Sequence, residues 1–342
     1  MQKKGRHSSS SRTAGASTSS YIDPNALMRI KNLQLRAKFV VDGFYNGLHR
    51  SPYHGFSVEF SEYRPYTPGD DPRHLDWKLF ARSDRYYIKR FEDETNRRCH
   101  LVVDQSKSMA YSSLEYSKAD YARTLAATLA YYLMSQKDCA GLLTFDEAVV
   151  EYLPARFRPG QMHQLMVCLE RSPQGSGTDL HAPLEQITSL INKRGLIVLI
   201  SDLLASMDTL RTNLSYLRSR GHDVLLLRVL DPAEVSFPFS DATMIRDMES
   251  GQDVYVDPGV ARESYRQRFN EHDEQIRSIC GGLGVDYSQM LTNEPLETAL
   301  FDLIRAQSRT GRTIRRSSAP RSTAPHSASI DMQSSTREIG GR

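Results

Sequence analysis

Three short polar groups in this sequence could supply ligands to a cation: Asp104–Ser108, Gly175–Asp179 and Ser201–Asp202. The first and third directly follow short apolar runs, and the second stands before a predicted helix. Ligands of open α/β sheets bind beyond the carboxyl ends of the strands, often between segments that are far apart in sequence. We therefore expect the three groups to meet at one edge of a sheet.

The side chains in these groups are hydroxyls and carboxylates, which are the ligands that hard divalent cations prefer. An all-oxygen set with few charged members suits octahedral Mg²⁺ or Mn²⁺ and leaves a position that an acidic side chain of a partner protein can fill. The sequence thus predicts metal-dependent protein binding. The predicted ligands are Asp104, Ser106, Ser108, Thr178 and, through a water molecule, Asp202.

The elements that must position these residues alternate between strand and helix from residue 97 onward. Unbroken apolar runs such as Leu196–Ile200 are typical of strands buried on both faces of a parallel sheet. We predict a doubly wound, mostly parallel α/β sheet over 97–235, with 149–153 as an antiparallel edge strand. The predicted strands are 101–103, 141–145, 149–153, 196–200 and 224–230, and the predicted helices are 117–136, 160–171, 180–193 and 207–220.

The sequence on either side of this domain divides into two further parts. A small amino-terminal α+β portion is expected over 21–96, opening with one helix from Asp23-Pro24 to about Val40, because Asp before Pro is a helix-start signal. A carboxy-terminal extension over 236–308, packed on the domain, is expected to contain two helices. Residues 1–20 and 309–342 are Ser-rich and poor in apolar residues, and we interpret them as disordered tails.

The distribution of charge argues against a nucleic-acid-binding fold. Residues 1–20 contain four basic residues and no acidic one, and residues 309–342 contain seven arginines against two acids, so the body between the tails is mildly acidic. The four cysteines are scattered, without a pair spaced for a metal or a redox motif. The amino terminus lacks a secretory pattern, and no apolar run approaches the roughly 20 residues of a membrane span. These features favour a cytoplasmic protein.

The Asp-x-Ser-x-Ser sequence, with Thr178 and Asp202 downstream, resembles the metal-ion-dependent adhesion site of von Willebrand factor type A domains. The wider sequence resembles the bacterial domain-of-unknown-function family fifty-eight, over roughly residues 25–300. The resemblance implies a type A-like, Rossmann-like fold and a partner among MoxR-type AAA+ ATPases, although many relatives have amino-terminal membrane helices that this sequence lacks. The matching residues are Gly47, His49, Ser51, Gly55, Glu59, Phe60, Arg64, Tyr66, Pro68–Asp71, Arg73, Asp76, Trp77, Ala81, Arg82, Glu94, Asp104–Met109, Lys118, Gly177–Asp179, Ser201 and Asp202.

Two further groups of residues could either bind a partner or serve only the fold. Gly177 and Asp179 could contact a partner beside the metal, but Asp179 is also placed to cap a helix at Leu180. Arg73, Asp76 and Trp77 could form a second partner-binding surface, or Arg73 and Asp76 could pair with neighbours while Trp77 fills a core.

An enzyme remains the alternative to an adaptor. An aspartyl phosphatase would need a second carboxylate two residues after Asp104, where Ser106 stands, and Ser106 lacks the Gly-x-Ser-x-Gly setting of hydrolases. The loop around Gly175 and Gly177 could still hold a phosphate through its backbone amides. We therefore predict a non-catalytic adaptor for a MoxR-type ATPase, or for a client that supplies an acidic residue. A Mg²⁺-dependent phosphohydrolase or a nucleotide-binding protein is the alternative.

Overall fold

A computed structural model of the chain describes residues 21–50, 63–67, 77–83, 85–89, 97–171, 181–191, 193–246 and 252–317. The helices are α1 (Pro24–Met28), α2 (Leu33–Arg50), α3 (Trp77–Ser83), α4 (Lys118–Ser135), α5 (Gln161–Glu170), α6 (His181–Leu190), α7 (Met207–Ser219), α8 (Pro232–Ser236), α9 (Pro258–Leu283) and α10 (Glu297–Ser317). The strands are β1 (Tyr63–Pro65), β2 (Tyr87–Lys89), β3 (Arg98–Asp104), β4 (Cys139–Phe145), β5 (Val149–Arg156), β6 (Leu196–Ser201), β7 (Asp223–Leu230), β8 (Thr243–Arg246), β9 (Asp253–Val256) and β10 (Asp286–Leu291).

A six-stranded sheet in the order β10-β7-β6-β3-β4-β5 forms the centre of the molecule. Neighbouring strands run parallel, except that β5 is antiparallel to β4 at one edge. The central β6 is buried over its whole length, whereas β5 has no fully buried residue. This agrees with the prediction of a mostly parallel α/β sheet with an antiparallel edge strand, because continuous apolar runs require cover on both faces.

Two apolar cores cover the two faces of the sheet. Successive residues of a strand point to opposite faces, so Leu101 and Val103 contribute to one core while Val102 contributes to the other. The first core contains side chains of α2, α4, α5 and α10, and the second contains side chains of α6, α7 and α9. Helices on both faces of a parallel sheet define a doubly wound, Rossmann-like architecture.

The carboxy-terminal part differs from the predicted division of the chain. The sheet does not end at residue 235, because β10 pairs with β7 as a further parallel strand. Helix α10 continues past the predicted tail boundary at 309, to Ser317. Among the described helices, none combines the length and apolar character that a bilayer span requires.

The amino-terminal part contains two helices where one was predicted. Helix α1 ends at Met28, with Arg29 as its C-cap, and Asn32 then caps α2 by accepting a hydrogen bond from the amide of Leu35 at 2.8 Å. The cap at Asn32 divides the predicted helix in two, and apolar residues on both sides of it are buried. The predicted tail 1–20 and residues 318–342 lie outside the described residues.

Candidate functional site

The carboxylate of Asp104 joins the ends of two neighbouring strands. The register pairs Val103 of β3 with Ile200 of β6, so Asp104 and Ser201 leave the sheet side by side. The Ser201 hydroxyl donates to Asp104 Oδ2 at 2.5 Å, and the amide of Ser106 donates to Oδ1 at 2.8 Å. Asp104 is fully buried, and these two hydrogen bonds fix both of its oxygens in position.

Two serine hydroxyls lie together in the loop after β3. The side-chain oxygens of Ser106 and Ser108 are 3.0 Å apart, and both residues are buried. A short 3-10 helix, Lys107–Ala110, makes the turn between them and is closed by a hydrogen bond from the amide of Met109 to the carbonyl of Ser106. The turn therefore brings alternate residues of the loop to one place.

A buried lysine holds the third polar group. Lys118 begins α4, and its ammonium donates to Asp202 Oδ2 at 2.9 Å and to Glu234 Oε1 at 2.7 Å. The side chains of Lys118 and Asp202 are both 0% exposed. A buried charge is costly unless it is paired, so this ion pair must form together with the fold.

Helix α8 carries Glu234, which forms a lysine clamp together with Lys118 and Asp202. Asp231 and Glu234 form a capping box at its first turn, in which Glu234 Oε2 accepts from the amide of Asp231 at 2.7 Å. Asp231 is fixed in turn by the amide and hydroxyl of Ser113, at 2.8 and 2.5 Å. Each acidic side chain around Lys118 is thus oriented by a backbone amide or hydroxyl.

A second buried cation supports the loop that carries Asp202. Arg228, 1% exposed, donates to the carbonyl oxygen of Asp202 at 3.1 Å and pairs with Asp273 of α9 at 3.1 Å. Leu203, the next residue, has a positive φ of 60° and donates its amide to Ser201 Oγ at 3.0 Å. The carbonyl of Leu203 lies 3.2 Å from His272 Nε2, so the loop is held from three elements.

The electrostatics of this edge are unbalanced. Burial raises the pKa of Asp104 to about 6, and the nearby charge of Asp202 adds to the shift, while hydrogen bonds from Ser201 and Ser106 oppose it. Burial alone would lower the pKa of Lys118, but Asp202 and Glu234 outweigh it and raise the pKa above its ordinary value. With Asp104 ionised, the carboxylates of Asp104, Asp202 and Glu234 and the ammonium of Lys118 together carry two negative charges.

The structure brings four of the predicted ligands together at the carboxyl ends of β3 and β6, which we call the buried polar edge. They are Asp104, Ser106, Ser108 and Asp202. Thr178, Gly177, Asp179, Arg73 and Asp76 lie outside the described residues, and Trp77 is the first residue of α3. In the part of the chain that is described, no three His, Cys, Asp or Glu side chains are arranged to hold a metal. An ion at this edge would therefore depend on hydroxyl oxygens.

The sequence analysis did not assign a role at the site to Lys118, Glu234 or Arg228. A signal for Lys118 was nevertheless present: a lysine in the first turn of a helix opposes the helix dipole, and the residue after it, Ala119, belongs to the apolar pattern. Such a lysine needs a compensating carboxylate. Which carboxylate it finds depends on the fold, because Asp202 and Glu234 are 84 and 116 positions away.

Several known proteins are similar to this chain, in sequence or in structure. Uncharacterized proteins of Mycobacterium bovis and Mycobacterium tuberculosis are 28% identical over 290 residues, which is 83% of this chain and 89% of theirs. Among solved structures, a conserved hypothetical protein BatB of Bacteroides thetaiotaomicron is 15% identical, with a TM-score of 0.45 over 63% of this chain and 98% of its own. The pilus adhesin SpaC of Lactobacillus rhamnosus GG is 13% identical, with a TM-score of 0.40 over 74% and 37%.

The model of one family, described as protein of unknown function DUF58, matches residues 62–278. The match spans the central strands and every described residue of the buried polar edge. The chain therefore belongs to the DUF58 family.

Proposed function

We propose that this chain is a non-catalytic protein-binding module that uses a divalent cation at the buried polar edge, in the manner of a von Willebrand factor type A domain. The observation that carries the proposal is the 3.0 Å separation of the Ser106 and Ser108 hydroxyl oxygens. Octahedral Mg²⁺ has ligands at about 2.1 Å, so two adjacent ligands are about 3.0 Å apart. The two serine hydroxyls, which form a hydrogen bond with each other, are thus already at the spacing of one edge of such an octahedron.

The charge of the edge supports the same proposal. Two uncompensated negative charges in a buried region are costly, and the raised pKa of Asp104 reports that cost. A divalent cation would neutralise them. Asp104, Ser106 and Ser108 would hold the ion directly, Asp202 would act through water, and Thr178 would complete the set as the resemblance implies.

The function of the ion would be to bind a partner. A Mg²⁺ ion held mainly by hydroxyls stays electrophilic, and its open position accepts a carboxylate from another protein. The family resemblance suggests a MoxR-type AAA+ ATPase, or a client protein of that ATPase, as the source of the carboxylate. The chain would then act as an adaptor in chaperone-like assembly or maturation of proteins.

The geometry favours binding over the phosphohydrolase alternative. A nucleophilic Asp104 would need a second carboxylate two residues further on as its acid or base, and Ser106 stands there. His272 contacts the carbonyl of Leu203 instead of a serine, and burial lowers the pKa of His100 to about 4. These described histidines are therefore poorly suited to activate Ser106 or Ser108.

A pull-down with a matched control tests this function. Wild type, Asp104→Ala and Asp146→Ala are each used as bait in Mg²⁺ and in EDTA, with bound proteins identified by mass spectrometry. Asp146 follows β4 at the same edge of the sheet, and its carboxylate accepts from the amide of Ala148 at 3.2 Å, outside the polar cluster. We expect an AAA+ ATPase with wild type and Asp146→Ala in Mg²⁺ alone. Equal recovery with Asp104→Ala or in EDTA would contradict the metal-bridged contact.

A further inference from the structure

Lys118 occupies an oxygen that a metal ion could otherwise use. Its ammonium binds Asp202 Oδ2 at 2.9 Å, and among the described residues the remaining oxygen, Oδ1, accepts one long hydrogen bond of 3.4 Å, from the amide of Leu204. We propose that Lys118 sets the metal specificity of the site, because it restricts Asp202 to one available oxygen and so favours Mg²⁺ and Mn²⁺ over Ca²⁺. This inference rests on the proposed function.

The argument begins with the coordination that each ion prefers. Ca²⁺ takes six to eight oxygen ligands, commonly including a carboxylate that contributes both oxygens, whereas Mg²⁺ keeps six ligands and retains water. An ammonium bound to one carboxylate oxygen crowds and repels a cation that approaches the same oxygen, so the carboxylate is a poor bidentate ligand. Asp202 can still bind a metal-bound water through Oδ1. The pairing thus removes a ligand that Ca²⁺ uses and keeps the one that Mg²⁺ needs.

The structure holds Lys118 in this position from several sides. Its backbone amide donates to the carbonyl of Tyr111 at 3.1 Å, and the capping box of Ser117 and Asp120 fixes the start of α4. Its ammonium is also bound by Glu234, 2.7 Å away, whose other oxygen accepts from the backbone. If the lysine moved away, it would leave Asp202 buried without a partner, so an arriving ion does not readily displace it.

Lys118 also limits the charge that an ion meets. Together with Asp104, the clamp carries two negative charges instead of three, and sites of lower charge bind divalent ions more weakly. A test must therefore separate the effect of charge from the effect of the occupied oxygen. The double variant Lys118→Met with Glu234→Gln removes one positive and one negative charge. It keeps the net charge of the clamp and frees Asp202 Oδ2.

The experiment measures Mn²⁺ binding by the electron paramagnetic resonance signal of free Mn²⁺, followed by displacement with Mg²⁺ or Ca²⁺. Wild type is expected to prefer Mg²⁺. The double variant is expected to gain at least about ten-fold in the ratio of Ca²⁺ to Mg²⁺ affinity. Glu234→Gln alone keeps Lys118 on Asp202, so it should weaken both ions and leave their ratio unchanged.

Each outcome bears on one of the two proposals. A wild type that does not bind Mn²⁺ overturns the proposed function and this inference with it. Binding with an unchanged Ca²⁺ to Mg²⁺ ratio in a double variant whose circular dichroism is native overturns only the role of Lys118. If the double variant does not fold, wild type still provides a test, because a wild-type site that binds Ca²⁺ as tightly as Mg²⁺ overturns the inference.

Discussion

The two ends of the central sheet differ in how far their ion pairs are exposed to solvent and in whether nearby charges balance. At the amino ends of the strands, Arg218 and Asp223 pair at 2.7 Å with about a third of each side chain exposed, so solvent screens the pair and each charge has a partner. At the carboxyl ends, Lys118 and Asp202 pair with 0% exposure. Both pairs have good geometry, but only the second lies in a region with more negative than positive groups.

The two ion pairs should differ in how much they affect the stability of the fold. A screened ion pair at a sheet edge contributes little and can be lost at small cost. A buried cluster with uncompensated charge lowers the stability of the free chain, and such clusters are typical of sites where a ligand completes the balance. The carboxyl edge is therefore where the proposed cation would restore stability that the free chain lacks.

The largest expected effect comes from removing the positive charge of each pair. Lys118→Met removes the cation that the buried Asp202 and the partly buried Glu234 share, which should lower the free energy of unfolding by about 3–5 kcal/mol in EDTA. Arg218→Met at the other end should lower it by about 1 kcal/mol, since its partner remains solvated. Urea denaturation of both variants measures the contrast. Equal losses would show that the two ends do not differ as described.

A smaller effect is expected when the charge of Asp104 is removed. Its pKa is about 6 in the folded chain against an ordinary value of 3.8, so the unfolded chain ionises first and this group destabilises the fold as pH rises from about 4 to above 6. Asp104→Asn is neutral throughout. In EDTA its stability relative to wild type should therefore increase between these pH values, by on the order of 2 kcal/mol.

The comparison is made by thermal unfolding of both proteins from pH 4.5 to 7.5. The amide can keep both hydrogen bonds, accepting from the amide of Ser106 and donating to Ser201 Oγ. A difference that stays constant with pH, or that favours wild type as pH rises, would contradict the buried charge of Asp104.

The smallest effect is that of the ion itself. At a Mg²⁺ concentration ten times the dissociation constant, binding should stabilise wild type by about 1.4 kcal/mol. For a domain of this size that corresponds to a rise of about 3 °C in Tm. Arg218→Met should keep this rise and Asp104→Asn should lose it, as measured by differential scanning calorimetry. A rise that persists in Asp104→Asn would assign the ion to another place.

Much of the fold was predictable because its signals are local. The apolar runs of β3, β6 and β7 are strands buried on both faces, and the apolar residues of α4 recur at helical spacing, so both were assigned with small boundary errors. Strand β10 was missed because only one of its six residues is fully buried, which gives it a weak apolar pattern. Its place beside β7 results from packing across the chain.

Some residues of the site were likewise predictable from local sequence, and others were not. Asp104, Ser106 and Ser108 lie within five residues at the end of one strand, so their types and spacing already predicted an oxygen-rich cation site there. The lysine clamp joins α4, the loop after β6 and α8, and nothing within any one of these segments indicates the other two. Local sequence determines which groups are present and which strand end carries them. Only the tertiary fold determines which buried charges become neighbours, because that depends on the order of the strands and on which helix covers each face.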